Sequence, residues 1–532
     1  MDKDKAGKFY TDLQELYNLD LVFDEKIMHL RIILESIYID ITSAEPQSFG
    51  NIFQRICFIK EKYDIDDSLQ RDINGLRLFA NKLIHGQAGD EKDKDLKLKK
   101  SFVTLCEAVY EFSGVEIIPE FRLLAEEVKN IKLAEKPKKE KLHIGYLSVV
   151  VLSISKVKFS STNKKYYTIY CQDSDNTDNK LNINIYEPLS ENVKTMYKFC
   201  SLDIFSIHKI PDKGNLYTTA PDTLIIVNGD YLIDVTAIAE CFSNSTKCAG
   251  LGILRKFMTQ IPAPAILAGK IVNEILDNNL TDNDKAAADI TNRVLKDYIW
   301  TALQLSDGDL AGINQKVNSQ LKNLQYITSY LKKYDYYIEP FFISPYFGIQ
   351  GRLDVLFKNK EKNEINILEL KSGSPPNHDL WINHRMQVVG YNLLLASVYG
   401  SGRKGTSAIM YSAADDNCLR NCSNNSYVNQ DFLLIRNQLV YMEHLLSEGD
   451  FSEFENLRNT DVRKFPDFSS VVFKDFFRAY DAANEVVKKY FRYFTKFIFK
   501  EIKTLKTGAD SYNDFPEYGF SGLWKTPLPQ KE

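Results

Sequence analysis

The chain has 532 residues, of which 44% are hydrophobic and 26% are charged, and this length predicts about three globular domains. The formal net charge of −4 excludes any argument for nucleic-acid binding from bulk charge, so a basic surface has to be local. No apolar run approaches the roughly 20 residues of a membrane-spanning helix, the first residues lack the apolar stretch of a signal peptide, and the eight scattered cysteines favour a reducing cytoplasm over a disulfide framework.

The first part of the chain has the apolar spacing of helices. Within residues 8–131, leucines and isoleucines recur every three or four positions, as at Leu13, Leu16, Leu19, Ile27, Leu30, Ile33, Leu34 and Ile37. We predict a helical module at 1–132, followed by a charged linker at 133–142.

From 143 to 235 the pattern changes to short runs rich in β-branched and aromatic residues, separated by polar turns. The runs lie at 146–155, 166–171, 181–186, 202–207 and 223–227. Five such strands predict a small antiparallel barrel at 143–235. An oligonucleotide-binding barrel is one option, which the pattern alone does not select.

After residue 236, predicted helices and strands alternate. The helices are expected at 265–278, 283–304, 310–333, 384–398, 429–446 and 470–504, and the strands at 336–343, 349–357, 364–370 and 407–411. This alternation indicates an α/β layer with a small mixed sheet at 236–450, followed by a helical extension at 451–532. The fold class is therefore multidomain α+β.

Two carboxylates in this layer predict a cation site. Asp354 and Glu369 belong to adjacent strands of a predicted hairpin. A metal ion promotes hydrolysis of a phosphodiester by neutralising the phosphate and acidifying a bound water, and hard divalent cations prefer carboxylate oxygens. With a symmetric turn over the polar residues 358–363, Asp354 would pair with Ile367, and Glu369 would be its diagonal neighbour on the same face.

Other polar residues complete the pattern. Lys371 follows Glu369 by two residues, so both side chains share one face of the strand, where an ammonium would orient water and stabilise developing charge. The Leu370 carbonyl offers another oxygen ligand. Gln387 and Tyr391 are one helical turn apart and would hold either the phosphate backbone or the lysine. Each residue taken singly is more often a solvated surface group; only the ordered set indicates chemistry.

The runs Gly-Arg-Leu-Asp354, Ile-Leu-Glu369-Leu-Lys371-Ser-Gly and His384-Arg-Met-Gln387-x-x-x-Tyr391 resemble the PD-(D/E)XK nuclease superfamily. Within it they are similar to the RecB-like exonuclease branch, which includes nuclease modules fused to superfamily 1 helicases and CRISPR adaptation exonucleases. The resemblance covers about 230–450.

This resemblance implies a restriction-endonuclease-like core at 236–450 that uses Mg²⁺ or Mn²⁺. It implies Asp354, Glu369 and the Leu370 carbonyl as metal ligands, and Lys371 as the residue that activates water. Gln387, Tyr391 and Arg352 are then expected to position DNA. Glu339 also matches an acidic position common in the branch.

The chain departs from the branch in two respects. The usual Gly-x-x-x-His-Glu pattern reads Gly-Lys-Ile-Val-Asn273-Glu274, and an amide oxygen is a weaker ligand than imidazole. Glu274 would compensate only if it faced the site, yet its direction differs from that of Asn273 by about 100°.

The second departure concerns the cysteines. Many members hold an iron–sulfur cluster, for which Cys248 matches the first ligand, but residues 450–532 contain no cysteine. A four-thiolate cluster is therefore not expected. Zinc bound by Cys241, Cys248, Cys418 and Cys422 is a less favoured alternative.

Two further segments suggest partners. The run Arg77-Leu-Phe-Ala-Asn81-Lys-Leu-Ile-His85 weakly resembles HEPN-type helical domains, but it departs from the spacing and composition of their RNase signature, so we expect a homodimer or partner module. The run 519–524 resembles the junction before a helicase in related fusions, which predicts a fused or separate helicase partner.

The sequence therefore predicts a metal-dependent DNA nuclease acting on single-stranded or flapped DNA, in repair or in defence against foreign DNA. Two alternatives stay open. One is a catalytically weakened nuclease-fold module that binds nucleic acid or a partner. The other is a HEPN-type RNase acting through Arg77 and His85.

Overall fold

A computed structural model describes residues 1–507 apart from short gaps, which are 46–48, 50–51, 64, 85–93, 135–140, 161–162, 177, 212, 244–245, 259–263, 282–285, 362, 378, 401, 403, 462 and 464–466. The chain divides into two compact units. The first comprises Met1–Glu140 and the short segment Lys404–Thr406, and the second comprises Lys141–Arg403 and Ser407–Glu532. The boundary at residue 140 falls in the segment predicted as a linker. In the described part of the chain, no helix is long and apolar enough to cross a bilayer.

The described part of the first unit is helical. Its helices are α1 (Lys3–Asn18), α2 (Phe23–Ile41), α3 (Ile52–Tyr63), α4 (Asp67–Ile84), α5 (Lys94–Ser113) and α6 (Pro119–Ala134). The periodic residues of α1 and α2, among them Leu13, Leu30 and Ile37, are buried in one shared core. Leu19 lies beyond the end of α1 and is exposed. Two residues define the RNase alternative. Arg77 Nε donates a hydrogen bond to Asn74 Oδ1 at 3.3 Å, and His85 lies outside the described residues.

The second unit begins with a barrel. Its strands are β1 (Leu142–Ile154), β2 (Lys158–Phe159), β3 (Lys165–Asp173), β4 (Lys180–Tyr186), β5 (Ser201–Lys209) and β6 (Leu216–Val227). β2 extends the sheet beyond β3, while the pairing of β1 with both β5 and β3 closes the other five strands. The expectation of purely antiparallel strands is wrong in one place, because β4 and β6 are parallel. The chain crosses from β4 through a 3₁₀ helix (Leu189–Thr195) and β5 before it returns as β6.

Helices and strands then alternate, as predicted. The elements before the main sheet are β7 (Ile233–Asp234), α7 (Val235–Ala239), β8 (Phe242–Ser243), β9 (Thr246–Lys247), α8 (Ala249–Arg255), α9 (Pro264–Leu280), α10 (Ala287–Asp297), α11 (Ile299–Ala302) and α12 (Asp307–Leu331). The following elements are β10 (Asp335–Ile338), β11 (Phe341–Ser344), β12 (Ile349–Arg352), β13 (Val355–Asn359), β14 (Glu364–Lys371), α13 (Ile382–Tyr399), β15 (Ser407–Tyr411), β16 (Leu419–Asn421), α14 (Ser426–Glu448), α15 (Ser452–Asn456), α16 (Asp467–Ala482) and α17 (Glu485–Thr507).

The main sheet has the order β10-β13-β14-β15-β16, and β14 and β15 are its parallel pair. On one face, Leu368 and Leu370 pack into a core with α9 and α12. On the other face, Leu356 and Ile367 pack into a core with α13 and α14. Because side chains alternate along a strand, Glu369 and Lys371 point away from Leu368 and Leu370.

Four predicted elements are interrupted. The helix expected at 283–304 is divided at Tyr298 into α10 and α11. The run 336–343 is broken at Glu339-Pro340, where Glu339 has a φ of 47° and proline lacks the N–H that a strand would use. The run 349–357 is broken at Leu353-Asp354. The helix expected at 470–504 is two helices, α16 and α17, because the Asn484 side chain accepts a hydrogen bond from the Val487 N–H (3.0 Å) and thereby caps a new start.

Candidate active site

The β13–β14 hairpin places Asp354 and Glu369 at the same level. Val355 pairs with Leu368, and Asn359 pairs with Glu364, so the next position places Asp354 opposite Glu369. The predicted pairing of Asp354 with Ile367 is therefore wrong by two residues. The turn spans residues 360–363, which is shorter than the predicted 358–363, and Asn363 adopts a left-handed φ of 51° there.

Asp354 lies in the break between β12 and β13. One of its oxygens accepts a hydrogen bond from the Leu370 N–H at 2.7 Å. Burial raises the pKa of the Asp354 carboxyl well above its usual range, and the neighbouring charge of Glu369 raises it further. Two carboxyl groups thus lie opposite each other, with Glu369 buried and Asp354 partly exposed at the cavity, an arrangement that a cation would stabilise.

Glu369 has one occupied and one free oxygen. Its side chain is only 1% exposed, and Oε1 accepts a hydrogen bond from Lys371 Nζ at 2.9 Å. Oε2 is buried and has no hydrogen-bond partner among the described residues. A buried carboxylate oxygen without a partner costs free energy, which a bound cation would offset.

Lys371 stays charged in this setting. Burial lowers the pKa of its ammonium, but Glu369 and Asp354 outweigh burial and raise the pKa above its ordinary value. Nζ donates a second hydrogen bond to Gln387 Oε1 at 2.8 Å. The predicted sharing of one strand face by Glu369 and Lys371 is confirmed by their direct contact.

Gln387 and Tyr391 lie on α13 and hold the lysine. Gln387 Nε2 donates to the Tyr391 hydroxyl at 2.8 Å, and that hydroxyl donates to the Arg352 carbonyl at 2.9 Å. The anchored amide nitrogen leaves the Gln387 oxygen directed at Lys371. Tyr391 is only 2% exposed, so of the two predicted roles the geometry favours support of the lysine over contact with DNA.

These side chains line a cavity of 330 Å³, formed by Asp234, Thr236, Asn273, Glu339, Arg352, Asp354, Glu369, Leu370, Lys371, Gln387 and Tyr391. Four carboxyl groups of this lining stand against two cationic groups, Arg352 and Lys371. Fully ionised, the lining would carry two excess negative charges, which one divalent cation would balance.

The residues fit a cation that keeps part of its water shell. Among the described residues, no three His, Cys, Asp or Glu side chains converge as a ready metal-binding group. Mg²⁺ commonly binds through one or two carboxylates and retains several waters. The Asp354–Glu369 pair and the Leu370 position, which also lines the cavity, match that mode.

The first helix of the core contributes differently from expectation. Asn273 lines the cavity, whereas Glu274 is exposed and pairs with Arg293 at 2.5 Å. The prediction of Glu274 as a compensating metal ligand is therefore wrong, because the turn of the helix directs its side chain away from the cavity.

Sequence reasoning missed two acidic residues near this cavity. Asp277 lies one helical turn after Asn273, and burial followed by the nearby charge of Glu339 raises its pKa to about 7. The i, i+4 spacing from Asn273 was the available signal. Asp234 lines the cavity from the start of α7, where it accepts a hydrogen bond from the Thr236 N–H, and no sequence motif marked it.

The exposed side of the cavity carries an ion pair. Arg352 lies 3.1 Å from Glu339, and its side chain is 61% exposed. Arg352 is thus accessible to a ligand, while the charge of Glu339 raises the pKa of the Asp277 carboxyl.

The cysteines of the zinc alternative lie apart. Cys241 is buried in the core between the sheet and α14, and Cys248 packs against that core. Cys422 belongs to a separate cluster that Cys418 contacts. The structure therefore does not bring the four thiols together.

A family model described as "DNA replication factor Dna2" matches residues 189–337. The match is to a nuclease–helicase family and indicates a nuclease-type domain that acts on DNA. The matched segment includes Asn273 and Asp277 but ends before Asp354, so it is independent of the Asp354–Glu369–Lys371 set. No curated protein matches the chain.

Proposed function

We propose that the chain is a metal-dependent deoxyribonuclease with the PD-(D/E)XK arrangement of residues. The observation that carries the proposal is the buried Oε2 of Glu369, which has no partner among the described residues and lies beside Asp354 and Lys371. The match to a nuclease–helicase family supports DNA as the substrate and a role in replication or repair. The proposal includes DNA with single-stranded or flapped ends as the substrate and a helicase as a partner.

Asp354, Glu369 and the Leu370 carbonyl would hold the cation, with Asn273 at the cavity wall as a weaker oxygen donor. A bound Mg²⁺ or Mn²⁺ supplies neutralisation of the scissile phosphate and a more acidic water molecule.

Lys371 serves as a donor in this proposal. An ammonium has three hydrogens, and the bonds to Glu369 and Gln387 use two of them. The third is available to the attacking water or to a phosphate oxygen. Because the pKa of Lys371 is raised, the ammonium orients water and stabilises charge near neutral pH, and it does not accept the proton of that water.

The test is a cleavage assay on single-stranded, flapped and circular DNA with Mg²⁺, with Mn²⁺ and with EDTA. We expect products only with a divalent cation. We expect Asp354→Ala and Lys371→Ala to lower the rate at least 100-fold, the scale of losing one transition-state donor. Glu274→Ala is the matched control, since this nearby carboxylate points away from the cavity. Parental rates in the Asp354 and Lys371 variants would overturn the proposal.

A second candidate is a nuclease-fold module that binds nucleic acid or a partner without cutting. Asn273 supports this candidate, because it places an amide at the cavity wall where the RecB-like branch usually has a histidine ligand. DNA binding without products in Mn²⁺ would favour this candidate. Calorimetric titration of Mn²⁺ into the parent and into Glu369→Ala would show whether the site fills at all.

A further inference from the structure

Apart from the active-site cavity, the barrel carries an outer surface whose aromatic and polar side chains suit ligand binding. Its five closing strands follow the order β1-β3-β4-β6-β5, and the Leu189–Thr195 helix lies between β4 and β5. A five-stranded Greek-key barrel of the oligonucleotide-binding type presents the outer face of its second and third strands to ligands. Here those strands are β3 and β4.

Three tyrosines lie on this outer face. The register pairs Tyr166 with Tyr186 and Tyr170 with Asn182, while the intervening Ile169 and Ile183 are buried in the barrel core. The rings of Tyr166 and Tyr186 are stacked, with centroids 4.7 Å apart and planes at 23°. Tyr170 is 40% exposed. The face therefore offers aromatic surface to solvent.

Polar and basic groups accompany the rings. Lys158, on β2, is opposite Tyr166, and its Nζ donates to the Thr168 hydroxyl at 3.0 Å. That hydroxyl donates to Asn184 Oδ1 at 2.8 Å. Lys156 and Lys164 are close to Lys158 and Tyr166 in the sequence, and Glu187 follows Tyr186, whereas Asp173 ends β3 and Asp175 and Asp178 come after it. Lys158 thus places a positive charge beside the stacked pair.

We propose that this tyrosine face, defined by Lys158, Tyr166, Tyr170 and Tyr186, binds single-stranded DNA. Bases of a single strand expose the π-faces that stack on tyrosine rings, and lysines follow the phosphates without reading sequence. A duplex hides its base faces, so it would use only the lysines. This site goes beyond the proposed hydrolysis and does not depend on it.

The competing explanation is that Tyr166 and Tyr186 only stabilise the sheet as a cross-strand pair. Measuring binding in EDTA separates the two and keeps the result independent of cleavage. The full chain is titrated into fluorescent oligothymidylate of about 15 nucleotides, near the upper site size of one barrel, and anisotropy gives Kd.

We expect Tyr166→Ala/Tyr186→Ala to weaken binding about tenfold or more, and Tyr166→Phe/Tyr186→Phe to retain affinity, because stacking needs the ring and not the hydroxyl. Lys158→Ala should lower the slope of log K against log salt by about 0.7, the value for one phosphate of a single strand. Tyr493→Ala is the control, a tyrosine on α17 that is 66% exposed.

Thermal unfolding checks that each variant is folded. If the double alanine variant fails to fold, the phenylalanine and Lys158 variants carry the test. The proposal is overturned by unchanged affinity in a folded double alanine variant, by equal loss in the phenylalanine variant, or by equal loss in Tyr493→Ala. Equal binding of duplex DNA, or tighter binding of oligouridylate, also overturns it. Absence of DNA cleavage would leave this binding result intact.

Discussion

The ammonium of Lys371 lies 2.8 Å from the side-chain oxygen of Gln387, and this contact is one end of a chain of three hydrogen bonds. Gln387 is anchored to the Tyr391 hydroxyl, which is anchored to the backbone carbonyl of Arg352. Through these hydrogen bonds, helix α13 links Lys371 on β14 to the backbone of Arg352, which ends β12 just before the break at Leu353-Asp354. Such support matters because a displacement of about 1 Å at a reacting group can cost two orders of magnitude in rate.

Gln387→Ala should lower kcat about 10- to 100-fold with little change in KM. The alanine removes the hydrogen bond to Lys371 but leaves Glu369 in place, so Lys371 stays charged but loses one restraint. Steady-state cleavage of a short oligonucleotide with Mg²⁺ measures both constants. A rise in KM with an unchanged kcat would instead assign Gln387 to substrate binding.

Gly351→Ala should disturb the same chain of hydrogen bonds at its other end, beside Arg352. A Cβ at Gly351 would lie 3.1 Å from Tyr391 Cε1 and 3.3 Å from Val235 Cβ, in a packed core that yields little. We expect a lower melting temperature and a lower kcat. Gly373→Ala is the matched control, because nothing lies within 4 Å of its Cβ position. Equal melting temperatures and rates for the two variants would contradict this explanation.

The contacts that the sequence predicted were those fixed by local periodicity. Glu369 and Lys371 share a face because strand side chains alternate, and Gln387 contacts Tyr391 because they are one helical turn apart. The Asp354–Glu369 register was missed because it depends on the length of the turn, which composition does not determine. Asp234 was missed because tertiary packing brings it to the cavity from the end of β7, and Asp277 was missed because its helical spacing from Asn273 was not used. The break at Glu339-Pro340 separates β10 from β11; the proline signalled it, because it lacks a strand N–H, whereas the positive φ of Glu339 had no signal in the residue type.

Cation binding should release protons and strengthen as pH rises. Burial and the charge of Glu369 raise the pKa of Asp354, so the metal-free site retains a proton at a pH where an exposed aspartate is ionised. A cation that binds both carboxylates displaces that proton. Calorimetric titration of Mn²⁺ in buffers of different ionisation enthalpy counts the protons released, and Glu369→Ala should show neither binding nor release. Affinity that does not rise with pH would refute this coupling.

Asp277→Asn should stabilise the metal-free protein, and more so at higher pH. The unfolded carboxyl has a pKa of about 3.9, whereas burial and Glu339 raise the folded pKa to about 7. The folded state thus binds the extra proton, and the stability contributed by this group falls as pH rises from the unfolded to the folded value. The asparagine variant lacks this loss.

Melting temperatures measured in EDTA across this range test the pH dependence. The difference between Asp277→Asn and the parent should be small near pH 4 and reach a plateau above about pH 7. A constant difference at every pH would mean that the aspartate is ionised throughout.

Arg436→Met should be strongly destabilising, because one buried guanidinium satisfies several backbone carbonyls. Arg436 is 0% exposed and donates to the carbonyls of Gly348 (3.1 Å), Asn228 (2.7 Å) and Tyr231 (2.7 Å), and also to that of Val227. These carbonyls belong to the end of β6, the segment before β7 and the turn before β12, so the guanidinium joins the barrel to the strand that leads to Asp354.

Methionine fills a similar volume but leaves these carbonyls without donors, and we expect a loss of about 3–5 kcal/mol in the free energy of unfolding. Arg436→Lys should recover only part of it, because an ammonium cannot reproduce the planar fork of five donors. Urea unfolding followed by circular dichroism provides the measurement. A loss below about 1 kcal/mol in the methionine variant would show that water replaces the guanidinium at these carbonyls, and the barrel would then be joined to the core mainly by apolar packing.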